Sequence, residues 1–384
     1  MLIRILSCLS LYASASAAPI NSVMPLNDVQ GHKIRSAAPH VVKFGTTWYM
    51  YGVDMTNYPT ANIMNVTCYS STDLSSWTLR DTVLTEKYLR SLNPASGVWP
   101  PRVLYNAKNK EYVLIARPSV ASWGLASVYT SNSPTGRFVF RNTMTTDPLI
   151  GDLNLFTDTD GKVYLIYNKG GEGPINQRFA YIYQLNDDYY SVIPATFTNT
   201  NAVMEGFGMV KYKSTYFLFG SQLTGWDAND NFYITAPTPL GPWTDKGLFI
   251  PKGSNTYNSQ TWHILEVSGS KGTTYVYIGD RWVNFKDGRQ IWLPLEFNSD
   301  TSVAPMKWYD QWFLDTAGAW SPEDNPSNLR VPLRADLSAS TKQAVTIQIF
   351  DIQGKALRTW QVRGSGYHQI AWEGIENVKP TLGK

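Results

Sequence analysis

A chain of 384 residues with 43% hydrophobic and 16% charged residues holds enough apolar material for one large core or two domains, a composition that excludes disorder. Its 33 basic and 30 acidic residues leave a net charge of +3 without a basic block, which argues against a nucleic-acid or other polyanionic partner. The 14 Trp and 23 Tyr supply flat faces that fill cores and also stack on sugar rings.

At the N-terminus Arg4 precedes the apolar stretch ILSCLSLYASASA, the pattern of a secretory signal over residues 1–17 cut after Ala15-Ser16-Ala17. The stretch is too short to span a membrane, so a secreted or cell-surface protein is expected. Cys8 would leave with the signal and Cys68 would remain alone, so no disulfide framework is expected.

One hairpin then recurs five times: APHVVKFGTTWYMYG from Ala38, PPRVLYNAKNKEYVLIA from Pro100, DLNLFTDTDGKVYLIY from Asp152, EGFGMVKYKSTYFLFG from Glu205 and QTWHILEVSGSKGTTYVYIG from Gln260. Each is an apolar strand, a polar turn and a second strand rich in aromatic and branched residues. The second strands begin near Thr46, Lys110, Lys162, Ser214 and Thr273, at spacings of 64, 52, 52 and 59 residues. A second strand pair follows several of them, as in CYSSTDLSSWTLR, VYTSNSPTGRFVFR and FYITAPTPLGPWTDKG. Four strands per unit and five units predict an all-β fold, a five-bladed β-propeller over residues 18–322. A two-sheet sandwich is the rival, but it needs no fifty-residue period.

In a propeller the first strand of each blade lines the central channel. Aligning the five copies puts Ala38, Trp99, Asp152, Glu205 and Gln260 in one ring. Glu205 opens an inner strand next to Asp152 and Gln260, where desolvation and a like-charged neighbour would let it keep a proton and act as a general acid. Paired carboxyls in a pocket rimmed by Trp and Tyr are the working parts of glycoside hydrolysis. The competing reading has both acids capping strand ends. Asp158 and Asp160 read as a hairpin turn rather than a calcium loop, and the four His show no metal-ligand spacing. His263, on the inner strand after Gln260, reads as packed rather than pointing into the channel. No metal or cofactor is expected.

Beyond GAWSPEDNPSN a Pro/Asn/Ser linker leads to QAVTIQIFDIQGKALRTWQV and GYHQIAWEGI, read as a small β-sandwich-like tail over residues 323–384.

The segments GDLNLFTDTDGKVYLIY, FGSQLTGWDANDNFY, GSNTYNSQT, YIGDRW and MKWYDQW give the chain a resemblance, over about residues 30–320, to glycoside hydrolase family 43 and to its exo-β-1,3-galactanase branch. By that resemblance Glu205 stands at the general acid and Asp152 at the residue that tunes and orients it. Most of the family carries a third carboxylate, the base, on the first blade, where this chain has Ala37 and Ala38. The galactanase branch lacks it too, and Gln260 matches the branch's blade-five glutamine that faces the attacking water. Two departures stand out. The branch usually has His-Gly-Gly where this chain has SAAPH, and Trp99 replaces the Glu that grips the sugar. Thr224, Trp226, Asp227 and Tyr257 fall where the branch shapes its sugar pocket. The resemblance implies an exo-acting, inverting hydrolase of β-1,3-galactan or arabinogalactan-type polysaccharide, and a monomer is expected. The alternatives are a non-catalytic galactan-binding propeller and a glycosidase of the same fold acting on arabinose or xylose linkages.

Overall fold

The computed structural model describes residues 17–24, 27–56, 65–93, 97–118, 125–170, 174–282, 288–322, 331–335, 345–350, 356–362 and 368–372, the last four stretches as backbone only. Residues 1–16 of the expected signal at 1–17, and residues 323–330 of the expected linker, lie outside them.

Five antiparallel sheets follow one another along the chain, each a meander in sequence order. The first holds Ala37–Phe44, Thr47–Val53, Val66–Ser71 and Thr78–Leu84. The second holds Trp99–Asn106, Glu111–Arg117, Leu125–Ser131 and Val139–Thr145. The third is built from Ile150–Thr157, Val163–Lys169, Phe179–Gln184 and Thr198–Val203, the fourth from Glu205–Tyr212, Thr215–Ser221, Phe232–Ala236 and Thr244–Leu248. Ser259–Gly269, Gly272–Arg281 and Gln290–Leu295 make the fifth. The expected hairpins are all present, each second strand starting within one residue of its predicted place. The all-β expectation therefore holds.

Short polar turns force each meander, and the apolar residues on both faces of each sheet then need a neighbour on either side. Five buried clusters supply it. They lie between the first and second sheets, the second and third, the third and fourth, the fourth and fifth, and the fifth and first. The first strands of the five sheets touch in order, and the last touches the first. Most of the aromatic residues are spent in these clusters, Trp48, Trp77, Trp292 and Trp312 all in the one that joins the fifth sheet to the first.

The fifth sheet would expose the edge at Gln290–Leu295, and the N-terminal segment covers it. Met24 N–H donates to Gln290 O, Trp292 N–H donates to Ser22 O, and Val23 bridges Ile291. An edge paired in this way cannot template aggregation.

The axis among the first strands carries a buried polar network. Arg102, with no exposed surface, donates to Asn154 Oδ1 at 2.8 Å, to Ala38 O at 2.9 Å and to Trp262 O at 3.1 Å. His263 Nε2 meets Val41 O at 2.9 Å, and its ring stands edge-on to His40. His263 thus packs, as read from the sequence. Burial and the Arg102 charge hold it down at about 3, a neutral ring. In the third hairpin Asp158 closes the turn on Lys162 and pairs with Lys211, which accounts for the FTDTDGK acids without a metal.

A second compact unit begins at Glu323. In it Val331–Ala335 pairs with His368–Trp372, and Val345–Phe350 pairs with Ala356–Val362, both antiparallel. Among the described residues no helix is long and apolar enough to cross a membrane.

Candidate active site

The five inner hairpins share one irregularity. Their register slips between Ala37 and His40, Trp99 and Arg102, Ile150 and Leu153, Glu205 and Phe207, and Thr261 and His263. Such a bulge breaks the two-residue alternation and re-aims side chains at a strand mouth. Ala38, Trp99, Asp152, Glu205 and Gln260 all stand in these breaks or one residue from them. At Glu205 the break depends on Gly206. Its φ is +55°, and a Cβ there would lie 2.4 Å from Thr261 O. The backbone N–H placed by this turn helps to hold the Asp152 carboxyl down.

Asp152, Glu205 and Gln260 line one cavity of about 220 Å³, together with Trp99, Trp226 and Trp262. Its cationic side comes from Arg117, Arg178 and Lys169. Asp152 is 8% exposed, and Arg117 Nη2 lies 3.7 Å from its Oδ1. Burial pushes its carboxyl above the ordinary carboxylate range, while Arg117, the Gly206 N–H and the Trp99 indole oppose that push. Glu205 has less help. Burial and then the Asp152 charge push it up to about 8, against weaker opposition from the Gln260 amide and the two arginines. The shared proton of the pair thus belongs to Glu205 and the charge to Asp152. At neutral pH that is one acid and one anion in a half-dry hollow, the protonation state a proton donor needs.

The orientation of Gln260 follows from its neighbours. Ser221 Oγ donates its only proton to Glu205 O at 3.0 Å. Toward Gln260 it can therefore only accept, so the nitrogen of the amide faces it, at 2.9 Å. The other amide hydrogen goes to Glu205 Oε1 at 3.0 Å. Both donors are used, and the Gln260 carbonyl remains as an acceptor. An acceptor at that point can hold a water by one of its hydrogens.

The opposite wall is aromatic. The Trp99 ring meets Trp262 edge-on at 5.3 Å and Trp226 at 6.5 Å, and Trp226 meets Trp282 at 5.1 Å. Trp226 is 46% exposed, a face open to a ligand. Ala37, Ala38, Trp99 and Trp262 form a small buried cluster with Val53 and Met55 beneath it. Ala38 sits at φ +48°, its N–H held by Asp280 Oδ2 at 2.7 Å.

The structure thus brings together Glu205, Asp152, Gln260, Trp99 and Trp226. It does not bring the other three expected residues to the cavity wall. Thr224 and Asp227 are exposed and close their own turn, Thr224 Oγ1 donating to Asp227 O at 2.6 Å. Tyr257 gives its hydroxyl to Met306 O and packs on Trp308. Arg117, Asn168, Lys169, Arg178, Ser221 and Trp262 were not anticipated. A signal for four of them was present: Arg117, Asn168, Lys169 and Ser221 end the second strands of their hairpins, beside the inner-strand starts. In register, Trp99 faces Arg117 and Glu205 faces Ser221. Among the described residues no group of His, Cys, Asp and Glu could hold a metal ion.

The sequence profile of the glycosyl hydrolases family 43 matches residues 32–313. Among solved structures the chain is similar to an exo-beta-1,3-galactanase from Clostridium thermocellum, with a TM-score of 0.71 and 26% identity over 92% of this chain and 78% of that one. It is also similar to an exo-beta-1,3-galactanase from Phanerochaete chrysosporium solved with beta-1,3-galactotriose, with a TM-score of 0.69 and 25% identity over 86% of this chain and 75% of that one. A beta-D-galactofuranosidase from Aspergillus niger is 24% identical over 265 residues, 65% of this chain and 74% of that protein. An arabinoxylan arabinofuranohydrolase from Bacillus subtilis is 24% identical over 305 residues, 65% of this chain and 57% of that protein.

Proposed function

The chain belongs to the glycosyl hydrolases family 43, and from that premise we propose an exported, exo-acting hydrolase that releases galactose from β-1,3-galactan, the backbone of arabinogalactan, with inversion. The five meander sheets are read as the blades of a five-bladed propeller, acting as a monomer with the tail from residue 323 as a separate small domain. The likeness to the two galactanases supports the choice of sugar and linkage.

In this reading Glu205 protonates the departing glycosidic oxygen, and Asp152 keeps the proton on Glu205 by its charge. Gln260 accepts a hydrogen bond from the attacking water, and the entering sugar has to part its amide from Glu205 Oε1, which it touches at 3.0 Å without substrate. An amide is no nucleophile, and Asp152 is held by Arg117. Water must then attack directly, and a single displacement inverts the anomeric centre. A cavity of about 220 Å³ is smaller than drug-sized pockets and suits a single terminal sugar, in keeping with exo action. The observation that carries the reading is the convergence of Glu205, Asp152 and an oriented Gln260 on one sugar-sized cavity. Digestion of β-1,3-galactan, with the products and their anomeric configuration followed by NMR, tests it. Galactose released first as the α-anomer is expected. A Glu205→Gln variant as fast as wild type would end the assignment.

A second reading keeps hydrolysis and changes the sugar to a furanose such as arabinose. The two curated relatives, named for furanosides, favour it, as does Trp99 where a sugar-gripping carboxylate would stand. A panel of chromogenic glycosides separates the two. Galactan bound without any product would instead leave a glycan-binding propeller.

A further inference from the structure

The turn end of the first two sheets carries a concavity unrelated to the cavity above. It has a volume of about 560 Å³ and is lined by Lys43, Phe44, Gly45, Tyr49, Tyr105, Tyr112 and Pro134. Phe44 and Tyr105 lie at or near the far ends of the inner strands Ala37–Phe44 and Trp99–Asn106, whose near ends hold Ala38 and Trp99. Six extended residue steps separate the two places by about 20 Å.

Its wall has two properties at once. Four aromatic rings sit side by side, Phe44 against Tyr112 at 5.0 Å, Tyr112 against Tyr105 at 5.0 Å and Phe44 against Tyr49 at 5.7 Å. Tyr105 is 42% exposed, although a ring of that size is normally covered. The phenol hydroxyls of Tyr49, Tyr105 and Tyr112 hydrogen-bond no described residue, and Lys43 brings a positive charge that rests over Trp48. A wall of flat apolar faces edged by unspent hydroxyls fits a ligand with the same two characters. Sugar rings have them, an apolar C–H face and a girdle of hydroxyls. An apolar peptide or a lipid would leave the three hydroxyls without partners.

We propose that this concavity is a second, non-catalytic binding site for a neutral polysaccharide, and specifically for the polymer that the active site shortens. The first part stands on the groove alone, and the second rests on the galactanase reading. A site on the far rim would hold a long chain to the enzyme while its end is trimmed, raising the local concentration of chain ends.

Native electrophoresis in gels containing β-1,3-galactan, xylan or arabinan tests it, in a Glu205→Gln background so that the polymer persists and with excess free galactose to fill the cavity. Galactan should retard the protein, and Tyr105→Ala should weaken that retention about five- to tenfold. The triple variant Tyr49→Phe, Tyr105→Phe, Tyr112→Phe keeps the rings and removes the hydroxyls, and should lose part of the retention even where Tyr105→Ala fails to fold. Xylan retention that depends on Tyr105 would keep the site and remove galactan as its ligand. Retention equal in all variants, retention abolished by galactose or no retention by any polymer would overturn the proposal. So would a Tyr105-dependent dimer in sedimentation without polymer binding, which would give the groove to a second copy of the chain.

Discussion

The inner strands of the third, fourth and fifth sheets and those of the first two set equivalent backbone positions around the same axis, as two arcs with opposite chemistry. Asp152, Glu205 and Gln260 bring a charge, a proton and an oriented amide. Ala38 and Trp99 bring no ionisable group, and the Ala38 backbone is already engaged by Asp280 and Arg102. The apolar arc nevertheless bears on the chemistry. Burial is the first cause of the raised Glu205 carboxyl, and Trp99, 7% exposed, stands on the side that dries it. One arc holds the reacting groups, and the other removes the water that would level their protonation states.

The sharpest way to break this comparison is at Glu205. Glu205→Gln should lower kcat on galactan by about 10²–10⁴, the range of a general acid. Wild-type turnover should fall as pH rises through about 8, because the proton is then lost. The sign for stability follows from the same value. The folded carboxyl is raised above its ordinary 4.5, so the folded state binds more protons between 4.5 and about 8, and stability declines with rising pH across that window. The glutamine variant lacks this slope. Thermal melts of both proteins from pH 5 to 9 should diverge in favour of the variant at the alkaline end, and parallel curves would contradict a raised Glu205.

Asp152→Asn comes next. It removes the charge that helps keep the proton on Glu205, so the alkaline limb of the rate profile should move to lower pH. Turnover then drops roughly tenfold for each unit by which the Glu205 value falls below the working pH. Trp99→Glu is the mirror experiment on the apolar arc. A new anion beside the pair should move the limb upward, and a downward or absent shift would show that the two arcs are not coupled. Trp99→Phe is milder. It keeps an aromatic face and removes the indole that helps to hold the Asp152 carboxyl down, and about a tenfold loss of kcat with little change in KM is expected.

Much of this was legible before any coordinates. The repeat made the five inner hairpins readable because short polar turns and two-residue alternation are local properties, and each hairpin is specified by its own fifteen or so residues. The ring of Ala38, Trp99, Asp152, Glu205 and Gln260 followed from aligning those repeats. Other parts depended on contacts far apart in sequence. Residues 22–24 cover the fifth sheet's edge at 290–292, some 270 positions away, with nothing in SVM to announce it. Thr224, Asp227 and Tyr257 carried family-like motifs, but a loop's turn closes on its own backbone and a tyrosine packs where its hydroxyl finds an acceptor, as at Met306 O. The ends of the second strands, Arg117 and Ser221 among them, reach the site through cross-strand register with Trp99 and Glu205, which no pattern along a single strand displays.

Ser221 gives the smallest effect and the most specific one. Its hydroxyl touches neither cavity nor sugar, since it is fully buried and bridges Glu205 O to the Gln260 amide. What it fixes is a choice between two orientations of that amide that are otherwise nearly isosteric. Ser221→Ala leaves one amide hydrogen without a partner and lets the group rotate, so the carbonyl no longer always faces the water. A hydrogen bond of this kind is worth about 1 kcal/mol, which corresponds to roughly a fivefold loss of kcat. KM and the pH at which activity falls should stay where they are, because neither Glu205 nor Asp152 changes its charge. Ser221→Thr keeps the hydroxyl and should recover most of the rate. An alanine variant with a shifted alkaline limb would mean that Gln260 acts through the acid, and the division between the arc that holds the proton and the group that holds the water would then have to be redrawn.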